Sequence, residues 1–327
     1  MISQSARFHT FGKSHEVIQL EQLELPALAA GQLLVKMLAS PINPADLNFI
    51  QGNYGVQPEL PTSPGIEGCA EVLESTAEGY EAGDKVIFLE RVGTWQSHLV
   101  CDASKTLRIP SEIAAEQAAM LKVNPVTAWQ ILHGYVDLKP GDWVIQNAAN
   151  SGVGQSLIQI AKKLGLRTIN VVRREGLEDQ LKALGADHVL LDTKDLVEKV
   201  REICGDNLPK LASNAVGGDS ALRQMDALAE HGTQVTFGAM SMRSLKVPNK
   251  FLIFKGINLR GLWITKWIAE TPREQIDAVY AQLADWVISN DLIQPIDGCY
   301  APSQFEEALL RSQENKRAGK VLIYWGK

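Results

Sequence analysis

The sequence lacks the features that mark several large protein classes. It has only four cysteines, Cys69, Cys101, Cys204 and Cys299, far apart and without C-x-x-C spacing. That excludes a disulfide-dense scaffold and predicts free thiols in a reducing compartment. No apolar run is long enough to span a bilayer, so no membrane partner is expected. Basic excess is also missing. The net charge of −6 is opposite in sign to what nucleic-acid binding usually requires, so no nucleic-acid partner is expected. A local basic patch for an acidic substrate stays open. Residues 1–8 lack the apolar stretch of a signal peptide, and strand-like sequence starts almost at once. A cytoplasmic location is the default expectation. Long repeats, low-complexity segments and flexible linkers are absent.

What is present suits a soluble enzyme. The 327 residues can hold two domains with their own cores, and 45% hydrophobic and 21% charged residues are ordinary globular values.

The organising stretch runs from Asp142 to Gly154. A β-branched apolar run, Trp143-Val144-Ile145, ends in the small residues Ala148-Ala149-Asn150-Ser151-Gly152-Val153-Gly154. An apolar segment at helical spacing, Gln155 to Leu164, follows. Strand, tight turn and helix form the first unit of a dinucleotide-binding fold. Small residues let the backbone approach a pyrophosphate, and the helix behind aims N–H groups and a positive dipole end at it. The spacing is that of G-x-G-x-x-G, but Ala149 and Ser151 replace the first two glycines and only Gly154 is kept. By itself the turn fits an ordinary βα unit equally well. Asn150, Ser151, Gly152 and Val153 are the candidate cofactor contacts there.

The next strand, Arg167 to Val172, ends in Arg173-Arg174. A unit that binds NAD places an acid about 20 residues after the turn, on the ribose 2′-hydroxyl. Arg173 occupies that place here. A guanidinium suits a 2′-phosphate, because its planar donors match phosphate oxygens. Arg173 and Arg174 therefore favour NADPH over a pair of solvated arginines.

Before this unit, residues 7–40 alternate polar and apolar, and Leu33 to Ala39 reads as a strand. Pro41 to Asn48 is a proline-stiffened turn into a short helix. Gln51-Gly52-Asn53-Tyr54-Gly55 is turn-rich around one tyrosine. The first hundred-odd residues therefore read as a β-rich domain. Ala114 to Leu121 reads as helix, and a second helix starts at Asn124. After Arg174 the βα rhythm continues through helix Leu177–Leu184, a strand at His188, a strand ending near Gly217, helix Ser220–Ala229 and a strand from Gly232 to Met240. The last strand of that rhythm is Leu259 to Ile264. Pro272 to Ile288 is an amphipathic helix, Ile293 to Leu310 adds a strand and a helix, and Gly319 to Tyr324 is a final strand.

This order resembles the medium-chain dehydrogenase/reductase superfamily. Gly83-Asp84-Lys85-Val86 and Leu138-Lys139-Pro140-Gly141-Asp142-Trp143-Val144 are phrases typical of it. Ile42 to Asn48, Gln51 to Gly55, Asn124-Pro125-Val126-Thr127-Ala128, Asn150 to Gln155 and Asn170-Val171-Val172-Arg173 together resemble the 2-enoyl thioester reductases. The resemblance implies an α/β fold, with a Rossmann doubly wound parallel sheet inserted in a GroES-like β-rich catalytic domain. The boundaries expected are 1–121, 122–264 and a return to the first domain over 265–327.

Zinc-dependent relatives carry a cysteine near the place of Asn43 and a histidine inside a G-H-E motif. That motif here is Gly65-Ile66-Glu67, without the imidazole, and a four-cysteine lobe is missing. Glu67 alone cannot complete a site of about three protein ligands, so no metal is expected. Another group must then manage charge on the substrate. Hydride addition to the β-carbon of an enoyl thioester leaves an enolate, which needs a proton at the α-carbon. A tyrosine, with a reference pKa of about 10, is protonated at neutral pH and can donate. By residue type alone Tyr54 reads as an amphipathic ring at a surface or seam. The matching motif makes it the proton donor.

The resemblance also carries cofactor contacts to Asn124, which equally suits a helix cap, and to Phe237, Gly238, Ala239 and Met240 at the nicotinamide side. It carries further contacts to Leu262, Trp263 and Ile264, and to Lys320, which by residue type alone reads as a solvated strand residue. Trp263 and Trp267 fit either an acyl pocket wall or a core or interface role. The expected activity is NADPH-dependent reduction of 2-enoyl thioesters, on coenzyme A or acyl carrier protein, by a homodimer. A zinc-free NADPH:quinone oxidoreductase is the alternative enzyme, and a cofactor-binding protein without turnover is the alternative class.

Overall fold

In the strand Gln32–Pro41, half-buried and buried positions alternate from Gln32 to Leu38. This period of two follows from the pleat. Its inward residues Leu33, Val35 and Met37 meet Val72, Val86, Phe88, Trp95, Phe305 and Val321 in one core. Each large apolar side chain so buried contributes about 1.5–3 kcal/mol relative to exposure. The computed structural model describes residues 1–325. It divides into two units, Met1–Val123 with the residues from Pro272 onward, and Asn124–Thr271.

The first unit is built on a seven-stranded sheet in the order Ile296–Tyr300, Lys320–Tyr324, Gln32–Pro41, Cys69–Ser75, Lys85–Phe88, Thr106–Ile109, with His98–Asp102 also paired to Gln32–Pro41. All pairings are antiparallel except that of Ile296–Tyr300 with Lys320–Tyr324. A two-stranded ribbon of Ile2–Arg7 and Gln19–Glu24 is added. This is the GroES-like β-rich domain expected.

The second unit holds six parallel strands. Their spatial order is His188–Leu191, Arg167–Val172, Trp143–Gln146, Leu211–Asn214, Thr233–Thr236, Asn258–Gly261. In chain order that is 3-2-1-4-5-6, the doubly wound Rossmann arrangement. Val171 packs with Leu196, Val200 and Met225, whereas Val172 packs with Ile158 and Leu181. Successive residues point to opposite faces, so both faces are covered. All four positions of Trp143–Gln146 are accordingly buried.

Several boundaries differ from expectation. The strand read as Leu259–Ile264 ends at Gly261. Leu262 still donates its N–H to Thr236 O, but the neighbouring strand ends there and offers no further pairing. Ile264–Glu270 is instead a helix that buries Ile264 and Ile268. Thr271 closes it by donating Oγ1–H to Trp267 O at 2.6 Å. The two units divide the chain at 123/124 and 271/272. Ala114–Leu121 yields only a short helix, Ala115–Ala118, followed by turns. The four cysteines are free, with Cys69, Cys101 and Cys204 buried and Cys299 exposed.

Candidate active site

In the Rossmann unit the turn after Trp143–Gln146 is shaped by steric exclusion. Ala148 takes a left-handed conformation, φ 49°, and Ala149 is completely buried. A Cβ on Gly154 would stand 2.5 Å from Ala149 O, and one on Gly152 would stand 2.5 Å from Asn124 Nδ2. Both glycines are needed for close approach, not for a positive φ. Ser151 caps the helix Gly152–Lys163 by accepting the N–H of Gly154 on Oγ at 3.1 Å. Gln155 donates to Asn150 O at 2.8 Å. Asn124, Asn150, Ser151, Gly152 and Val153 thus gather at one helix N-terminus, the kind of place that holds a phosphate.

The other candidates of this unit follow the carboxyl ends of neighbouring strands. Arg173 is exposed and Arg174 half-buried just past Arg167–Val172, beside the strand that carries the turn. Phe237 donates its N–H to Asn214 O, and Met240 its N–H to Ala215 O. Gly238 lies so close that a Cβ would be 3.0 Å from Ala215 O. Ala239 and Met240 are exposed, and Leu262, Trp263 and Ile264 continue from the last strand.

A set of amides that sequence reading missed fixes this edge. Asn147 Nδ2 donates to Asn214 Oδ1 and to Ser220 Oγ, and its Oδ1 accepts the N–H of Ala215 at 2.7 Å. Asn214 Oδ1 also accepts the N–H of Gly217, and its Nδ2 donates to Thr236 Oγ1. Asn147 and Asn214 end the two strands where the strand order reverses, the crevice in which such sheets bind ligands. The available signal was a polar residue at the end of one buried strand, Asn214, and directly after the other, Asn147.

Tyr54 and Lys320 belong to the first unit. Asn43 precedes the helix Pro44–Ile50, and Asp46 accepts the Asn43 N–H on Oδ2 and the Ile66 N–H on Oδ1. Tyr54 follows that helix, half-buried against the core of its unit. The Arg91 guanidinium carbon lies 4.1 Å from the Phe49 ring centroid and 5.2 Å from that of Tyr54. Arg91 Nη1 is 3.7 Å from Asp46 Oδ1.

Beneath this loop is a buried polar cluster. Glu67 accepts Asn43 Nδ2 on Oε1 and the Val123 N–H on Oε2, both at 2.9 Å. Lys320 Nζ donates to Asn43 Oδ1. Lys122 Nζ donates to the carbonyls of Ile66 and Glu90 at 2.7 and 2.9 Å. Burial raises the carboxyls of Glu67 and Asp46 above their usual range. Burial lowers Lys320 and pushes Lys122 down to about 7, against the pull of Glu67. Among the described residues, no group of three or more His, Cys, Asp or Glu side chains is placed to hold a metal.

Two family models match the chain: "Alcohol dehydrogenase GroES-like domain" over residues 29–111 and "Zinc-binding dehydrogenase" over residues 152–284. The human mitochondrial enoyl-[acyl-carrier-protein] reductase is 41% identical over 320 residues, covering 95% of this chain and 86% of the relative. Among solved structures, a complex of Etr1p with NADP and crotonyl-CoA is 27% identical with a TM-score of 0.91, covering 99% of this chain and 100% of that one. A putative NADPH:quinone reductase from Bacillus thuringiensis is 26% identical with a TM-score of 0.92, covering 99% of each chain.

These relatives overturn the expected cytoplasmic location, since the enoyl reductases similar to this chain are named as mitochondrial. That expectation rested on a missing targeting pattern, which is no positive signal for any compartment. By identity and coverage, the chain belongs to the enoyl-[acyl-carrier-protein] reductase family of the medium-chain dehydrogenases/reductases.

Proposed function

We propose that this chain reduces the α,β double bond of 2-enoyl thioesters with NADPH, in fatty-acid metabolism. The carrying observation is the match over nearly its whole length to enoyl reductases, one structural relative being a complex with NADP and crotonyl-CoA. The chain's own residues fit that cofactor. A Cβ on Gly152 or Gly154 would collide with Asn124 Nδ2 or Ala149 O, so both glycines let the turn close as tightly as a pyrophosphate-binding turn requires. Asn150 to Val153 would hold the pyrophosphate, and Arg173 with Arg174 the 2′-phosphate. Asn124, Phe237 to Met240 and Leu262 to Ile264 would surround the nicotinamide end. We assign Lys320 to the buried cluster, since its ammonium already donates to Asn43.

Bound NADPH supplies the hydride added to the β-carbon. Tyr54 gives its phenolic proton to the α-carbon of the enolate, completing the saturated thioester. We read this site as working without zinc. Asn43 and Ile66 stand where the metal-binding relatives have their ligands, and both Glu67 oxygens already accept N–H groups. Stoichiometric zinc in purified protein would reverse this reading.

We further infer a homodimer. Asn258–Gly261 is an edge strand, mostly exposed. Close to it in sequence, Leu252, Ile253 and Phe254 are 47%, 69% and 81% exposed. Such an edge and such apolar exposure are features that proteins usually cover. Light scattering at low concentration tests it, and a monomer refutes it.

The decisive assay follows NADPH oxidation with crotonyl-CoA and, separately, with a quinone. The likeness to a putative quinone reductase makes the second substrate the proper control. Turnover of crotonyl-CoA is expected; oxidation by the quinone alone overturns the proposal.

A further inference from the structure

Arg91 has an unusual environment. Its Nη1 and Nη2 are buried and have no hydrogen-bond partner. Burying guanidinium donors without an acceptor is costly. Asp46 balances the charge as an ion pair but does not satisfy these donors. Both Asp46 oxygens already accept backbone N–H groups, and the approach of Nη1 to Oδ1, 3.7 Å, exceeds hydrogen-bond range. What the guanidinium meets is aromatic, the Phe49 ring on 4.1 Å and the Tyr54 ring on 5.2 Å. Its loop is anchored from below, because Lys122 donates to the carbonyl of the preceding Glu90.

We propose that Arg91 is a positioning residue for Tyr54, whose cation over the ring fixes the phenol and stabilises the phenolate left when the proton departs. This rests on the proton-donor role given to Tyr54 above. The step balances without a further reagent. The Tyr54 O–H bond breaks and a C–H bond forms at the substrate α-carbon, using the enolate electron pair. The phenolate then takes a proton from water. During that interval the ring is more negative than at rest, so its attraction for a cation is larger than in the ground state. An interaction that strengthens as the reaction proceeds raises kcat rather than binding.

The test measures kcat, both KM values and the solvent deuterium isotope effect for Arg91→Met and Arg91→Lys. Each is made alone and together with Tyr54→Phe. Arg91→Met is expected to lower kcat roughly 3- to 30-fold, the range a cation over an aromatic ring provides. The KM for NADPH should hold, and the isotope effect on kcat should rise as proton transfer becomes limiting. Arg91→Lys should recover part of the loss, and it carries the test if Arg91→Met does not fold. With Tyr54→Phe present, neither substitution should reduce the residual rate further. An unchanged kcat in both folded variants, or an equal fractional loss in the Tyr54→Phe background, overturns the proposal. Wild-type protein inactive on crotonyl-CoA overturns the reductase reading itself, so the two failures are distinguishable.

Discussion

Asn147 and Asn214 join amide to amide, Nδ2 to Oδ1 at 2.9 Å, across the two parallel strands at which the strand order reverses. The same Asn147 side chain receives the N–H of Ala215. Replacing it with Ala would leave that N–H without its acceptor, while Asn214 Oδ1 would keep the N–H groups of Val216 and Gly217. A loss of about 1–3 kcal/mol in unfolding free energy is expected, measured by denaturant titration. NADPH should bind more weakly in step, because Asn214 and Ala215 also carry the stretch from Phe237 to Met240. Unchanged stability would mean that the amide cluster is dispensable.

Tyr54→Phe removes one oxygen and keeps the ring under Arg91. Turnover of crotonyl-CoA should fall by roughly 10²- to 10⁴-fold, the usual contribution of a positioned general acid. NADPH affinity, followed by nicotinamide fluorescence, should not move. Full turnover in this variant would remove the residue from the mechanism.

Arg173→Ala separates the two nicotinamide cofactors. A charge-assisted contact to a phosphate is worth about 1.5–3 kcal/mol. The KM for NADPH should therefore rise roughly 10- to 100-fold, while that for NADH hardly changes. Equal effects on both cofactors would contradict a contact with the 2′-phosphate.

The buried Lys122 predicts an alkaline gain in stability. Its folded pKa is pushed down to about 7 from 10.5, so between those values the unfolded chain binds more protons than the folded one. Unfolding free energy then increases with pH across that window, by at most about 1.4 kcal/mol per pH unit. Below about pH 7 the ammonium is charged in both states and the slope from this group vanishes. Glu67 and Asp46, both raised by burial, have the opposite sign. Their contribution falls as pH rises from the ordinary carboxyl range through their raised values. Chemical denaturation from pH 7 to 10 should show a positive slope in the wild type that Lys122→Met reduces, with Lys320, also lowered by burial, keeping the remainder. Parallel profiles would place the ammonium in water.

The sheet of the Rossmann unit was legible because Trp143–Gln146, Arg167–Val172 and His188–Leu191 are short runs rich in apolar and β-branched residues, and the remaining strands keep the same spacing between turn formers and helices. The turn at Ala148–Gly154 was legible because only small residues fit there. Trp263 and Ile264 misled, being aromatic and β-branched like strand residues. The sheet ends before them because Thr233–Thr236 offers no further partner, a fact of its neighbour rather than of their own sequence. The cluster of Asn43, Glu67, Lys122 and Lys320 was not readable as a unit. Asn43 and Lys320 are 277 positions apart, and no local pattern reports such a meeting. Arg91 was overlooked for the same reason, since its partners Phe49 and Tyr54 lie on another segment.

The seven-stranded sheet draws its members from both sides of the Asn124–Thr271 unit. Lys320–Tyr324 fits between Ile296–Tyr300 and the Ala39–Pro41 end of Gln32–Pro41, whereas Gln32 to Lys36 already pair with His98–Asp102, so only that end waits for a strand made after the whole Asn124–Thr271 unit. The Rossmann strands are all available well before that moment. Synthesis in chain order therefore leaves the β layer short of two strands for an interval, with a brief stretch of unpaired edge at Ala39–Pro41 of the kind that invites aggregation.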